Sequence, residues 1–156
     1  MKAITRSGYI TPTLNFTENH PPPTFSPSTH PNQVLIKVMS AAINPIDYKL
    51  KPIAKLAFPV VGFDMAGVVT EVGSNVTSLK VGDEVFGQAS EGSLAESVIA
   101  NESCVAKKPS SFRFSQAAAL PVAYVVGYEG LKKISNLGPE SQVLIIGASG
   151  GCGVSF

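Results

Sequence analysis

An apolar run, Val143-Leu144-Ile145-Ile146, leads directly into Gly147-Ala148-Ser149-Gly150-Gly151-Cys152-Gly153, and this pairing constrains the chain more than any other stretch. Where a buried strand ends at a phosphate group, the backbone must turn sharply and approach the ligand closely. That excludes Cβ atoms, while the following helix offers unpaired N–H groups to the anion. The spacing predicts a buried strand over 142–146 and a turn shaped for a pyrophosphate over 147–153. Gly147, Ser149, Gly150, Gly151, Cys152 and Gly153 become candidate cofactor-binding residues, with Cys152 a small filler rather than a redox sensor. Val154-Ser155-Phe156 is less than one helical turn, and the second strand, whose acidic residue about 20 positions further on would read a ribose, does not follow within the sequence. The chain is therefore expected to hold the opening of a dinucleotide-binding domain; a flexible small-residue tail is the plainer alternative.

The 156 residues suffice for one domain with a real core, or one domain and a fragment of another. A 44% hydrophobic and 15% charged composition describes a globular protein leaning apolar. With a net charge of +1 and no basic cluster beyond Lys107-Lys108 and Lys132-Lys133, nothing electrostatic favours nucleic acid or an anionic membrane as partner. Those lysine pairs read as solvated surface. Two cysteines far apart, Cys104 and Cys152, with no export signal at Met1–Gly8, point to a reducing, cytoplasmic compartment rather than a disulfide scaffold. The longest apolar stretch, Ala117 to Tyr128, is too short for a bilayer and contains Pro121, so no membrane span is predicted.

Prolines at 21, 22, 23, 27 and 31 lock φ and remove donors, so 20–31 is expected to be an extended surface loop, with His20 and His30 exposed to solvent. From Gln33 the alternation of Val34, Ile36 and Val38 with Leu35, Lys37 and Met39 predicts a strand with a buried face. Asn44-Pro45 reads as a helix start, the amide capping and the proline at the first helical position, with a short helix to about Leu50. Glycines at 62, 67, 73, 82, 87 and 92 then punctuate short apolar runs, as in a compact barrel that Leu94 to Ala100 could close. After Pro109 the period changes. A capped short helix is expected over 115–120 and a second from Pro121 to about Ile134, with Gly138-Pro139 as terminator. Strands first, then helices and a single strand, suggest an α/β unit starting near 115.

Several blocks together resemble one family, the zinc-free quinone reductase branch of the medium-chain dehydrogenase/reductase proteins, which includes quinone and enone reductases. They are Ala41-Ala42-Ile43-Asn44-Pro45-Ile46-Asp47-Tyr48-Lys49, Phe58-Pro59-Val60-Val61-Gly62-Phe63-Asp64-Met65-Ala66-Gly67-Val68-Val69, Glu71-Val72-Gly73, Val81-Gly82-Asp83-Glu84-Val85-Phe86-Gly87, Gly92-Ser93-Leu94-Ala95-Glu96, Ala117-Ala118-Ala119-Leu120-Pro121 and the terminal glycine loop. They come in the family's order across nearly the whole chain. The resemblance implies a fold of class α+β to α/β: a GroES-like β-barrel catalytic domain over 1–114, then the first helix, strand and glycine loop of an incomplete Rossmann cofactor domain over 115–156. NADPH is the implied cofactor, with NADH not excluded. The implied reaction is hydride transfer to a quinone or α,β-unsaturated carbonyl. The form implied here is truncated and poorly active, with a homo-oligomer open to the full-length form. A non-catalytic binding or regulatory module derived from such an enzyme is the alternative.

The same resemblance argues against a metal. Zinc-dependent relatives place a Cys where this chain has Asn44 and a His where it has Phe63, and neither replacement supplies a usual zinc ligand. Their four-cysteine lobe falls where this chain has Gln88-Ala89-Ser90-Glu91-Gly92. Without a metal, a conjugated carbonyl suits the site, because its enolate needs only hydrogen bonds and a proton. Asn44 is the candidate hydrogen-bond donor, and Tyr48 and Lys49 are candidate proton donors or orienting groups; capping, packing and solvation are their plainer roles. Asp47 reads as a first-turn helix charge, and Asp64 as a partly buried carboxylate in a structural hydrogen bond. Family members carry a Thr near the nicotinamide where this chain has Val126, a residue that can neither donate nor accept.

Overall fold

The computed structural model describes residues 1–7, 13–49, 59–134 and 136–155. Leu50, Phe58 and Phe156, with the helix end and the motif residue expected there, lie outside these segments. Strands β1 (Ala3–Ser7) and β2 (Thr13–Thr17) pair antiparallel. Five more, β3 (Gln33–Ala42), β4 (Asp64–Val72), β5 (Glu84–Gln88), β6 (Ser97–Asn101) and β7 (Val105–Lys107), form a second antiparallel sheet in the order β6-β3-β4-β5-β7. The alternation in β3 does what the sequence demanded of it. Val34 and Ile36 are fully buried, facing Val72 and Val69 of β4 on one side and Ala100 and Val98 of β6 on the other. They join Met65, Val69, Leu79, Val85, Ala89, Val98 and Ala100 in one core. Each fully buried Val, Ile or Met contributes about 1.5–3 kcal/mol, so this cluster rather than any surface contact holds the sheet together.

One side of the sheet curls closed through β1. The Ile4 amide donates to the Leu94 carbonyl at 2.8 Å, Val61 donates to Ile4 at 3.0 Å and Arg6 donates to Pro59 at 2.9 Å. The segment expected to close the barrel thus divides its work. Ala95 bridges to Ala3, while residues 97–101 become β6 and pair with β3. Gly62 makes the approach feasible: its φ is +99°, and a Cβ there would strike the Ser93 hydroxyl.

Among the described residues three α-helices follow from local signals, α1 (Pro45–Lys49), α2 (Phe114–Ala118) and α3 (Pro121–Lys132). Helix α2 starts one residue earlier than Ser115, because the Gln116 side chain accepts the Arg113 N–H at 2.9 Å. Its Ala117 and Ala118 pack against Ala66 of β4, where small side chains let helix and sheet approach.

Three expectations are corrected. Residues 142–146 form neither a strand nor a buried segment: Leu144 is 87% and Ile146 91% exposed. A strand exists through a ladder of hydrogen bonds, and among the described residues none lies alongside to complete one. Lys108 is not solvated. Its side chain is 4% exposed and its ammonium meets Glu84 at 2.9 Å, donates to the Phe112 carbonyl at 2.6 Å and lies 5.2 Å from the Phe114 ring centre. The turn 109–112 folds back over the stem and covers it. The histidines are half-buried, with the His30 ring stacked on Phe25 at 5.1 Å.

Candidate functional site

Where β3 ends at Ala42, Asn44 and Pro45 turn the chain into α1. The Asp47 carboxylate reaches back to accept the Asn44 backbone N–H at 2.6 Å, and the Asp47 N–H donates to the Asn44 carbonyl at 3.0 Å. This is half of a capping box. The other half is diverted: the Asn44 side-chain amide donates instead to Asp64 Oδ2 at 2.9 Å. Asp64 opens β4 and has no exposed surface. Its two oxygens also receive the Val122 N–H, at 3.0 and 3.1 Å. Val122 is the second residue of α3, so one orphan donor of that helix end is satisfied by a carboxylate, as the helix dipole favours.

Two buried carboxylates therefore flank Asn44. Burial raises Asp64 to about 6, against the hydrogen bonds from Asn44 and Val122, which lower it; the neighbouring Asp47 charge adds to the rise. Asp47 is also raised by burial, opposed by the Asn44 N–H and by the Arg6 charge. Asp47 Oδ1 is buried and finds no hydrogen-bond partner among the described residues. Desolvation disfavours an anion at both sites more than the available donors compensate.

Of the other residues singled out from sequence, Tyr48 and Lys49 stand exposed on α1, the Lys49 ammonium 5.9 Å from the Tyr48 ring centre. Val126 is 52% exposed on α3, whose Pro121, Ala123 and Gly127 face inward. The glycine loop lies beside the start of that helix. Ser155 Oγ donates to the Ala123 carbonyl at 3.1 Å, and a Cβ on Gly151 would sit 3.9 Å from the Ala123 Cβ. Gly147 has φ +80°, and any Cβ on Gly153 would strike the Gly147 carbonyl. The Gly150 N–H closes the turn on Gly147 O at 2.9 Å, and a 3-10 turn spans Gly153–Ser155. Gly147, Ser149, Gly150, Gly151 and Cys152 are all exposed around this turn. A tight, Cβ-free, solvent-facing turn fits a phosphate-bearing cofactor sterically.

A cavity of about 320 Å³ lies between β1, the end of β3 and residues 93–96. Another, of about 400 Å³, opens between β5, the 102–104 turn and α3, lined by Phe86, Gln88, Cys104, Val105, Pro121 and Val125 among others. Gln88 is the register partner of Asp64, so this second cavity adjoins the Asn44–Asp64–Val122 junction. Among the described residues no charged one lines it. Its size suits a small organic molecule. Gln88, Cys104 and Val125 carry no sequence signal that would have marked them, because they converge from three elements. Among the described residues no three His, Cys, Asp or Glu side chains are grouped to hold a metal ion, and no helix is long and apolar enough to cross a membrane.

Known proteins place this architecture. The chain is 42% identical over 141 residues to a 2-methylene-furan-3-one reductase of Solanum lycopersicum, a match covering 81% of this chain and 36% of that one. It is 40% identical, with the same coverage, to an Arabidopsis thaliana protein named NADPH-dependent alkenal/one oxidoreductase, chloroplastic. The solved structure of the quinone oxidoreductase from Coxiella burnetii superposes with a TM-score of 0.68 at 34% identity, covering 85% of this chain and 44% of that one. The chain thus spans little more than a third of the two curated relatives and less than half of the solved one. The relatives it matches are named as quinone and enone oxidoreductases; residues 30–110 of this chain, more than half of the sequence, match the alcohol dehydrogenase GroES-like domain, and the chain belongs to that family.

Proposed function

We propose that this chain carries the substrate half of an NADPH-dependent reductase of quinones or α,β-unsaturated carbonyls, with barrel 1–114 and the opening of a cofactor domain over 115–156. The observation that carries the reading is a juxtaposition: Asp64 ties the Asn44 turn to the first turn of α3, and the glycine loop rests on that same turn. Candidate substrate and candidate phosphate elements are thereby brought to one junction. Among the described residues the adjoining cavity is lined by apolar and uncharged polar side chains, which suit a neutral conjugated carbonyl better than a carboxylate or phosphate substrate.

Bound NADPH would supply the hydride. The chain's own residues bind and orient. Asn44, Tyr48 and Lys49 lie on the rim of the barrel, where an amide, a phenol and an ammonium can hydrogen-bond a carbonyl oxygen as it gains charge, and Tyr48 or Lys49 can return a proton. Gly147, Ser149, Gly150, Gly151, Cys152 and Gly153 would cradle the pyrophosphate, and Val126 would touch the nicotinamide by packing alone. Reaction without zinc is supported by the side chains at the positions where zinc-dependent relatives place their ligands, Asn44 and Phe63, neither of which is a usual zinc ligand. Two free, exposed thiols, Cys104 and Cys152, support a reducing compartment such as the cytosol.

Turnover by this chain alone should be poor, since Leu144 and Ile146, which would line a nucleotide sheet, stand in solvent. That exposed apolar face also favours a second reading, a non-catalytic module that pairs with a larger relative. Titrating the labelled chain with a simple quinone and separately with NADPH, followed by NMR, tests the proposal. Quinone should shift signals of Asn44, Tyr48 and the cavity-lining Gln88 and Val125, and NADPH those of 147–153. Shifts confined to the cavity between β1 and residues 93–96, or none, would refute the assignment; turnover at ordinary enzyme rates would refute the poor activity.

A further inference from the structure

We infer that Asp64 is a positioning residue whose carboxylate makes the Asn44 turn and the first turn of α3 a single mechanical unit, so that the substrate-side amide and the helix bearing Val126 move together. The inference rests on the proposed function for its catalytic meaning and on geometry for everything else. One buried carboxylate receives donors from two elements that are 20 and 58 residues away, at 2.9 Å from Asn44 and 3.0 Å from Val122. Ionised, it is acceptor-only and satisfies both. Protonated, it loses the charge that strengthens each bond, and one oxygen becomes a donor facing donors.

Among the described residues no other side chain does this job. Asp47 holds the backbone of Asn44, not its amide, and so fixes α1 without reaching α3. The groups facing the carboxylate are of three kinds: Asp47 on α1, whose charge opposes ionisation; the Asn44 amide and the N–H end of α3, which favour it; and Arg6 on β1, which acts through Asp47. The balance leaves Asp64 titrating at about 6, so that a shift of roughly one pH unit around that value changes the ionised fraction several-fold. The device therefore couples the two sides of the junction above that value and loosens the coupling below it.

NMR of the intact labelled chain, without cofactor or quinone, tests this. The Asn44 side-chain amide and the Val122 backbone amide should titrate with one shared midpoint near 6. Asp64→Ala should raise Val122 amide exchange by about ten-fold or more and move the Asn44 side-chain signals, since a charge-assisted bond is lost at each. Asp64→Asn, of the same shape, keeps an acceptor oxygen within reach of both donors but carries no titrating charge, so the shared midpoint should vanish while Val122 exchange stays below that of Asp64→Ala. Independent midpoints, no titration near 6, or unchanged Val122 and Asn44 signals in a folded variant would overturn the inference. Because no turnover is read, an inactive chain with a shared midpoint would defeat the reductase reading alone, and an active one with independent midpoints would defeat the coupling alone.

Discussion

Acidifying the protein from about pH 8 to about pH 5 should stabilise it, the reverse of the usual carboxylate behaviour. Asp64 titrates near 3.8 when unfolded and at about 6 in the fold, so the folded state holds its proton more tightly. A group raised in this way contributes stability that is fully present below 3.8 and is lost as pH rises through about 6. That rise in pKa corresponds to roughly 3 kcal/mol over the whole range. Between about pH 8 and about pH 5 the part recovered is on the order of 1–2 kcal/mol. Asp47 is raised too and adds in the same direction. Asp83 and Glu102 are lowered, by Lys107 and by Ser78 with Thr77, but their contributions fail as pH falls below the ordinary carboxylate range, outside this window. With a urea slope of about 2 kcal/mol per M, the unfolding midpoint should rise by roughly 0.5–1 M on acidification. Asp64→Asn should remove most of that rise. A wild-type midpoint that stays level or falls towards pH 5, or an equal rise in Asp64→Asn, would show that burial does not dominate this carboxylate.

Gly62→Ala should cost about 2–3 kcal/mol in urea unfolding, because a positive φ is combined with collision against Ser93. Gly82→Ala, at φ +89° with nothing within 4 Å of the new carbon, should cost only about 1 kcal/mol, separating strain from sterics. Lys108→Ala should lower stability by about 2 kcal/mol, by stranding Glu84 and the Phe112 carbonyl and uncovering Phe114, whereas Lys132→Ala on the exposed face should fall within about 0.5 kcal/mol of wild type. Asn44→Ala should weaken quinone binding in the NMR titration and also speed Val122 exchange modestly, while Tyr48→Phe should affect quinone contact without altering Val122, since its exposed ring touches neither Asp64 nor α3 in the hydrogen-bond network.

Much of this architecture is legible in the residues because its causes are local. The alternation around Val34 and Ile36 specifies a strand, Pro45 after Asn44 specifies α1, and Pro121 after the alanines specifies α3, each through torsional preference and the side-chain period within a few residues. Helix α3 even runs through Gly127 and Gly130, which cost it about 1 kcal/mol each, because Ala123 and Gly127 are buried. The ordered glycine and proline blocks suffice to identify the family. What sequence alone could not decide depends on partners distant along the chain. Apolar Val143 to Ile146 has the composition of a strand, yet a strand is a pairwise object and these residues have no ladder to join among those described. Lys108 is charged, yet its burial was decided by the turn at 109–112 and by Glu84 across the sheet edge. Asp64 was recognisable as a buried carboxylate, but not as the junction of Asn44 and Val122, since hydrogen bonds spanning 20 and 58 residues leave no periodicity to read. Local torsions and patterning determined which elements form; only the tertiary fold, by bringing remote donors to one desolvated carboxylate, determined where the barrel meets its helix.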